Sequence, residues 1–271
     1  MPRRPPSAGH SPLSFTSADV AAPEVASLDE FFFKLGRKAG AGIRKGRWLW
    51  ASLAGSEAEA LEAEYRAGCD LARAFDRRSA FDDDARSSEL LASVSARLSD
   101  HLTNKRRRWR VRPMRAEEPG AFALPGGFVY VTRPLLELCR FDADEVACVV
   151  GHEMGHVVHG HAMERITSQL LTSGATRAAR IPGGVLTQWA MGAGVRLFHS
   201  AYSQDRELEA DEFGARLAAA AGYDPRGAIR ALERLQQIEA KGELPLAEYF
   251  SSHPPLAVRI ERLRGLIRVR S

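Results

Sequence analysis

Apolar positions recur at helical spacing over much of the chain. From Ser88 to Thr103 they fall at Leu90, Leu91, Val94, Leu98 and Leu102, the one-sided stripe of an amphipathic helix. The capping-box pattern Ser56 to Glu59 opens another helix that runs to about Phe75, and Ser27 to Glu30 repeats it ahead of Phe31, Phe32 and Phe33. Further on the pattern predicts helices from Ala143 to about Thr172, Val185 to Phe198, Gln204 to Ala221 ended by Gly222, Pro225 to Ala240 ended by Gly242, and Leu256 to Ile267. Only between Trp109 and Thr132 does it change, to short β-type runs around Gly120, Pro125, Gly126 and Gly127, with Phe128 to Val131 the clearest strand. The expectation is a mainly α fold with a small β-sheet, an α+β protein. Residues 1–26, rich in Pro, Ser and Ala, read as a tail, 27–55 as an amphipathic basic segment, and 56–271 as one domain.

Composition narrows the function classes. Of 271 residues, 45% are hydrophobic and 27% charged, enough apolar material for a sizeable core. A net charge of +4 does not suggest a nucleic-acid binder, and the cluster Lys105 to Arg108 reads as a solvated strand edge guarded by charge. Cys69, Cys139 and Cys148 cannot all pair within one chain and read as core residues of a protein in a reducing compartment. No secretory signal is recognisable. Ile181 to Phe198 is broken by Pro182, Gln188 and Arg196 and falls short of the roughly 20 apolar residues that span a bilayer. A cytoplasmic location is expected. Peripheral contact with a membrane through Lys34 to Trp50 is an alternative to packing of Trp48 and Trp50 on the domain.

Chemistry concentrates in His152-Glu-Met-Gly-His156. Two imidazoles four residues apart on a helix are offset by about 40° and can hold one ion. Glu153, about 100° from His152, lies beside such an ion, where its carboxylate can take a proton from attacking water. His159 falls on the His152 face but about 10 Å along the axis from it, too far to share a tetrahedral ion, and suits a supporting role. His161 points away on a continuous helix. A catalytic zinc takes a third protein ligand. Ala162 stands where the metzincin pattern places a histidine, so a downstream carboxylate is sought among Glu164, Asp205, Glu207, Glu209, Asp211 and Glu212. In the helix from 204 to 221, Glu207 and Asp211 share the small and apolar stripe with Leu208, Gly214, Ala215 and Ala218, the face expected to pack inward. Two acids there need partners. Glu207 as ligand with Asp211 orienting a ligand histidine meets that need; a buried salt bridge also would.

These residues and their order resemble metallopeptidase family 48, the gluzincin group of CAAX prenyl endopeptidases, HtpX-like heat-shock proteases and the mitochondrial inner-membrane quality-control protease. The resemblance runs through Ala121-Phe-Ala-Leu-Pro-Gly-Gly-Phe-Val-Tyr-Val-Thr132, His152 to His156, Glu207-Leu-Glu-Ala-Asp211, Ser252-His-Pro254 and Arg259-Ile260. It implies a gluzincin-type zinc endopeptidase with one Zn2+ per chain on His152, His156 and Glu207, and Glu153 as general base. It also places His253 near the metal, either donating to the oxyanion or capping the open position. The strand Phe128 to Val131 would be an edge to which an extended polypeptide adds by backbone pairing, a mode suited to unfolded proteins. Gly120 departs from the family, where an Asn often precedes Ala-Phe-Ala, and no membrane spans accompany the motifs, so prenylated substrates are not expected. The alternatives are a latent, zinc-containing relative that acts as a binding or chaperone-like module, and a membrane-surface scaffold built on Lys34 to Trp50.

Overall fold

In the computed structural model, which describes residues 57–165, 202–241 and 256–268, a three-stranded sheet is packed between helices. The strands are β1 (Arg110–Met114), β2 (Ala121–Leu124) and β3 (Phe128–Thr132), and the helices are α1 (Glu57–Asp76), α2 (Ala85–Ser99), α3 (Arg133–Leu138), α4 (Ala143–Val158), α5 (Gln204–Ala220), α6 (Arg226–Lys241) and α7 (Leu256–Arg268). The structure is mainly helical with a small sheet, as the patterning predicts. The expected tail and basic segment over 1–55, the helix near 185–198 and His253 lie outside the described residues.

Sheet order is β1-β3-β2. β3 runs parallel to β1 and antiparallel to β2, so the strand expected to be an edge is the centre. Its continuous apolar run is the reason: a strand covered on both faces has no polar alternation, and all five of its residues are buried. Phe128 and Tyr130 join Phe122, Leu124 and Met114 against Leu71 and Phe75 of α1. Val129, Val131 and Ala123 turn the other way, onto Leu91, Val94 and Leu98 of α2 and Val150, Met154 and Val157 of α4. A third cluster joins Ala215 of α5 to Leu232 and Leu235 of α6 and to Leu256, Ile260 and Leu263 of α7.

Caps set the element ends. Asp84 caps α2 through Ser87 N–H, so the helix begins at Ala85, three residues before the predicted Ser88. Asp142 Oδ1 accepts from Asp144 and Glu145 N–H at 3.0 Å, opening α4 as expected. Glu145 does not reach back to close the box; it is buried and paired with Arg234 at 2.9 and 3.1 Å, which ties α6 to the start of α4. In the basic cluster Lys105, Arg106 and Arg108 are exposed, as expected, while Arg107 is half-buried: its Nη1 binds both oxygens of Glu64 at 3.0 and 3.1 Å, and Glu64 also accepts from Gly126 N–H at 3.0 Å, joining α1 to the β2–β3 turn. Cys139 and Cys148 are buried and all three cysteines are free thiols.

Candidate metal centre

The centre forms where α4 and α5 cross on their smallest residues. A Cβ on Gly214 would lie 2.6 Å from the backbone N of His152, and one on Gly155 would lie 3.2 Å from Ala210 Cα. Only backbones bare of side chains come this close, and the approach carries the acids of α5 to the histidines of α4. His152 Nε2 and His156 Nε2 are 3.1 Å apart. Glu207 completes the triangle, its Oε2 3.6 Å from His152 Nε2 and its Oε1 3.3 Å from His156 Nε2. A tetrahedral zinc with bonds of about 2.0–2.1 Å separates its ligand atoms by about 3.3 Å, so the donor set fits that ion in both spacing and chemistry. Among the described residues this is the one group of three buried donors within 4.8 Å of each other.

The partners of these three residues decide how they point. His152 Nδ1 lies 2.8 Å from Asp211 Oδ1. Arg259, from α7, clamps the same carboxylate with a two-pronged grip, Nε to Oδ2 at 2.7 Å and Nη2 to Oδ1 at 2.6 Å, and sets Nη1 3.2 Å from Glu207 Oε2. All of these groups are buried. Burial alone would raise the carboxyl of Asp211, but Arg259 and His152 outweigh it and bring it down to about 2. For His152 burial works against the charged form, yet Asp211 prevails and the net shift is upward.

His156 is supported differently. Its Nδ1 lies 3.1 Å from His161 Nδ1, and its ring stacks on Tyr202 with centroids 3.9 Å apart. The helix expected to continue to Thr172 stops at Val158. Gly160, with φ 76°, breaks the helix, and His161 begins a new helical stretch with its ring against His156. The expectation that His161 points away fails for that reason. Burial, with His156 next, drives its imidazole down to about 2. His159 caps α4 and pairs with Glu209 Oε1 at 3.0 Å. Glu153 is buried on α4 and acts electrostatically on Tyr202, whose phenol burial pushes upward.

Sequence reasoning passed over Arg259 as a site residue, although an arginine in line with Leu256, Ile260 and Leu263 on a buried stripe signals an acidic partner inside. It also missed Tyr202, for which no pattern in the sequence gave a signal.

A paired-histidine helix closed by a carboxylate from a second helix defines a metallopeptidase type of centre. The chain belongs to peptidase family M48, which matches residues 85–267. It is 33% identical over 153 residues to the metalloprotease LoiP of Escherichia coli K12, covering 55% of this chain and 59% of that protein. It is 37% identical over 151 residues to the mitochondrial metalloendopeptidase OMA1 of Arabidopsis thaliana, covering 54% and 29%. Protease HtpX of Cellvibrio japonicus is 33% identical over 193 residues, with 55% and 62% covered. The chain thus spans less than two thirds of each of these relatives. No helix among the described residues is long and apolar enough to cross a membrane.

Proposed function

We propose that this protein is a zinc-dependent endopeptidase of the gluzincin type that hydrolyses peptide bonds in unfolded or damaged polypeptides, with residues 56–271 as its peptidase domain. The observation that carries the reading is the convergence of His152 Nε2, His156 Nε2 and the Glu207 carboxylate, with edges of 3.1, 3.6 and 3.3 Å. These three residues would hold one zinc, which when bound polarises the scissile carbonyl and makes water a better nucleophile. Glu153, next to His152 on the buried side of α4, takes the proton of the attacking water and returns it to the leaving amine. Asp211 accepts from His152 Nδ1–H and keeps Nε2 toward the metal, while Arg259 holds both acids in place.

With β3 at the centre of the sheet, an added substrate strand would pair with the edge strand β2, not β3, and would compete with Arg165 for Ala123 O. Thr132 N–H donates to Gly120 O, and the antiparallel alternation that follows turns the backbone groups of Ala121 and Ala123 away from β3. Ala123 O accordingly accepts from Arg165 Nη2 at 3.3 Å. Recognition through backbone pairing tolerates many side chains, which supports unfolded polypeptide as the substrate class. His253 we keep as the candidate oxyanion donor or metal cap. His253→Ala should lower turnover in the first case and raise it in the second, and unchanged turnover would remove both roles.

The decisive experiment compares wild type with Glu153→Gln for bound zinc and for chelator-sensitive cleavage of casein. Both should bind one zinc, and the variant should cleave about 10²–10⁴-fold more slowly. Equal cleavage by the two proteins, or no cleavage by wild type, would overturn the reading.

A further inference from the structure

We propose that His161, held by Glu209, is a positioning residue that fixes the tautomer and direction of His156. The inference rests on the zinc reading above and adds residues that this reading does not use. His156 Nε2 faces His152 Nε2 at 3.1 Å and Glu207 Oε1 at 3.3 Å, so it serves a metal only with its lone pair exposed. The ring proton of neutral His156 then sits on Nδ1. That atom is 3.1 Å from His161 Nδ1, which must accept. His161 consequently carries its own proton on Nε2, and Nε2 is 3.2 Å from Glu209 Oε2, an acceptor that cannot donate once ionised.

Read in the other direction, the carboxylate of Glu209 dictates the His161 tautomer, and His161 dictates that of His156. Glu209 is itself steadied at its other oxygen by His159 Nδ1, 3.0 Å away. The backbone is built for this arrangement. Gly160 turns the chain at φ 76°, His161 is buried to 4% exposure, and Tyr202 stacks on the His156 ring. The Glu209 side chain, by contrast, is 51% exposed. An imidazole without such a partner carries its proton on either nitrogen, and the form protonated at Nε2 does not ligate. Partners of this kind on ligand histidines typically change metal affinity by about 10–100-fold.

The test uses the full chain and two readouts other than turnover. In competition with a chromophoric chelator, His161→Ala should bind zinc about 10–100-fold more weakly than wild type. His161→Asn, whose amide oxygen can stand where Nδ1 accepts, should recover most of the loss, and Glu209→Ala should show a smaller loss. Long-range proton–nitrogen NMR of metal-free wild type should find the His156 proton on Nδ1. A folded His161→Ala that binds zinc within twofold of wild type overturns the proposal, as does an Nε2 proton on His156 in wild type. The NMR result decides even where His161→Ala fails to fold. Wild type that binds no zinc at all overturns the zinc reading instead, while the NMR result still reports on the positioning of His156.

Discussion

His152 and His156 stand one turn apart on the same helix, yet they are oriented by opposite means. His152 leans on a buried carboxylate from α5, clamped by a guanidinium from α7 some 48 residues further along the chain. His156 leans on a neighbour five residues away, His161, and on the ring of Tyr202. The first support is ionic and joins three helices. The second runs through imidazoles to the half-exposed carboxylate of Glu209 and depends on one glycine turn. A buried ionic network is strong while intact but leaves uncompensated charge when one member is lost, whereas a lost imidazole leaves only an unsatisfied donor. The His152 side should therefore govern whether the fold holds together, and the His156 side how well it binds metal.

The largest expected effect follows from that asymmetry. Arg259→Met strands Asp211 and leaves Glu207 without its guanidinium, and should cost the metal-free protein about 3–5 kcal/mol. His161→Ala should cost only about 1–3 kcal/mol. Denaturant unfolding with a chelator present measures both, and equal costs would break the comparison. Saturating zinc should recover part of the Arg259→Met loss, because the ion supplies the positive charge that Glu207 has lost and binds only the folded state.

Both supports require α4 and α5 to stay in backbone contact. Gly214→Ala places a methyl 2.6 Å from the backbone N of His152, which no rotamer relieves, so the helices must separate. The expected loss is about 2–3 kcal/mol, together with weaker zinc binding as Glu207 retreats from both histidines. A variant with wild-type stability and zinc affinity would show that the centre does not depend on this close approach.

What the sequence made legible, and what it hid, divides along the same line. His152, Glu153 and His156 share one helix, and Glu207 with Asp211 shares another, so helical phase brought out each group, while the choice of Glu207 as a ligand over a buried salt bridge came from the family resemblance. The approach of α5 to α4 was foreshadowed by its stripe of small residues. Arg259 was hidden because its pairing is tertiary, although its place on an apolar stripe was a cue. His161 was misplaced by running α4 through Gly160, when a glycine after a histidine cap is a helix stop. The sheet was legible as strands but not in its order, since a continuous apolar run marks a covered centre, not an edge.

The smallest effect is one of pH, and it falls on the His152 side. Asp211 has its carboxyl brought from the usual 3.8 down to about 2 by Arg259 and His152, so the folded state holds the ionised form more tightly than the unfolded chain does. That contribution is fully present above about pH 4 and is lost as pH falls toward 2; it amounts to something on the order of 2 kcal/mol. Asp211→Asn lacks the group and cannot show this dependence. The stability gap between metal-free wild type and Asp211→Asn should thus narrow steadily on acidification from pH 5. A gap that stays constant for Asp211→Asn would mean that Arg259 and His152 do not stabilise the charge of Asp211, and the two supports would then differ in distance along the chain but not in kind.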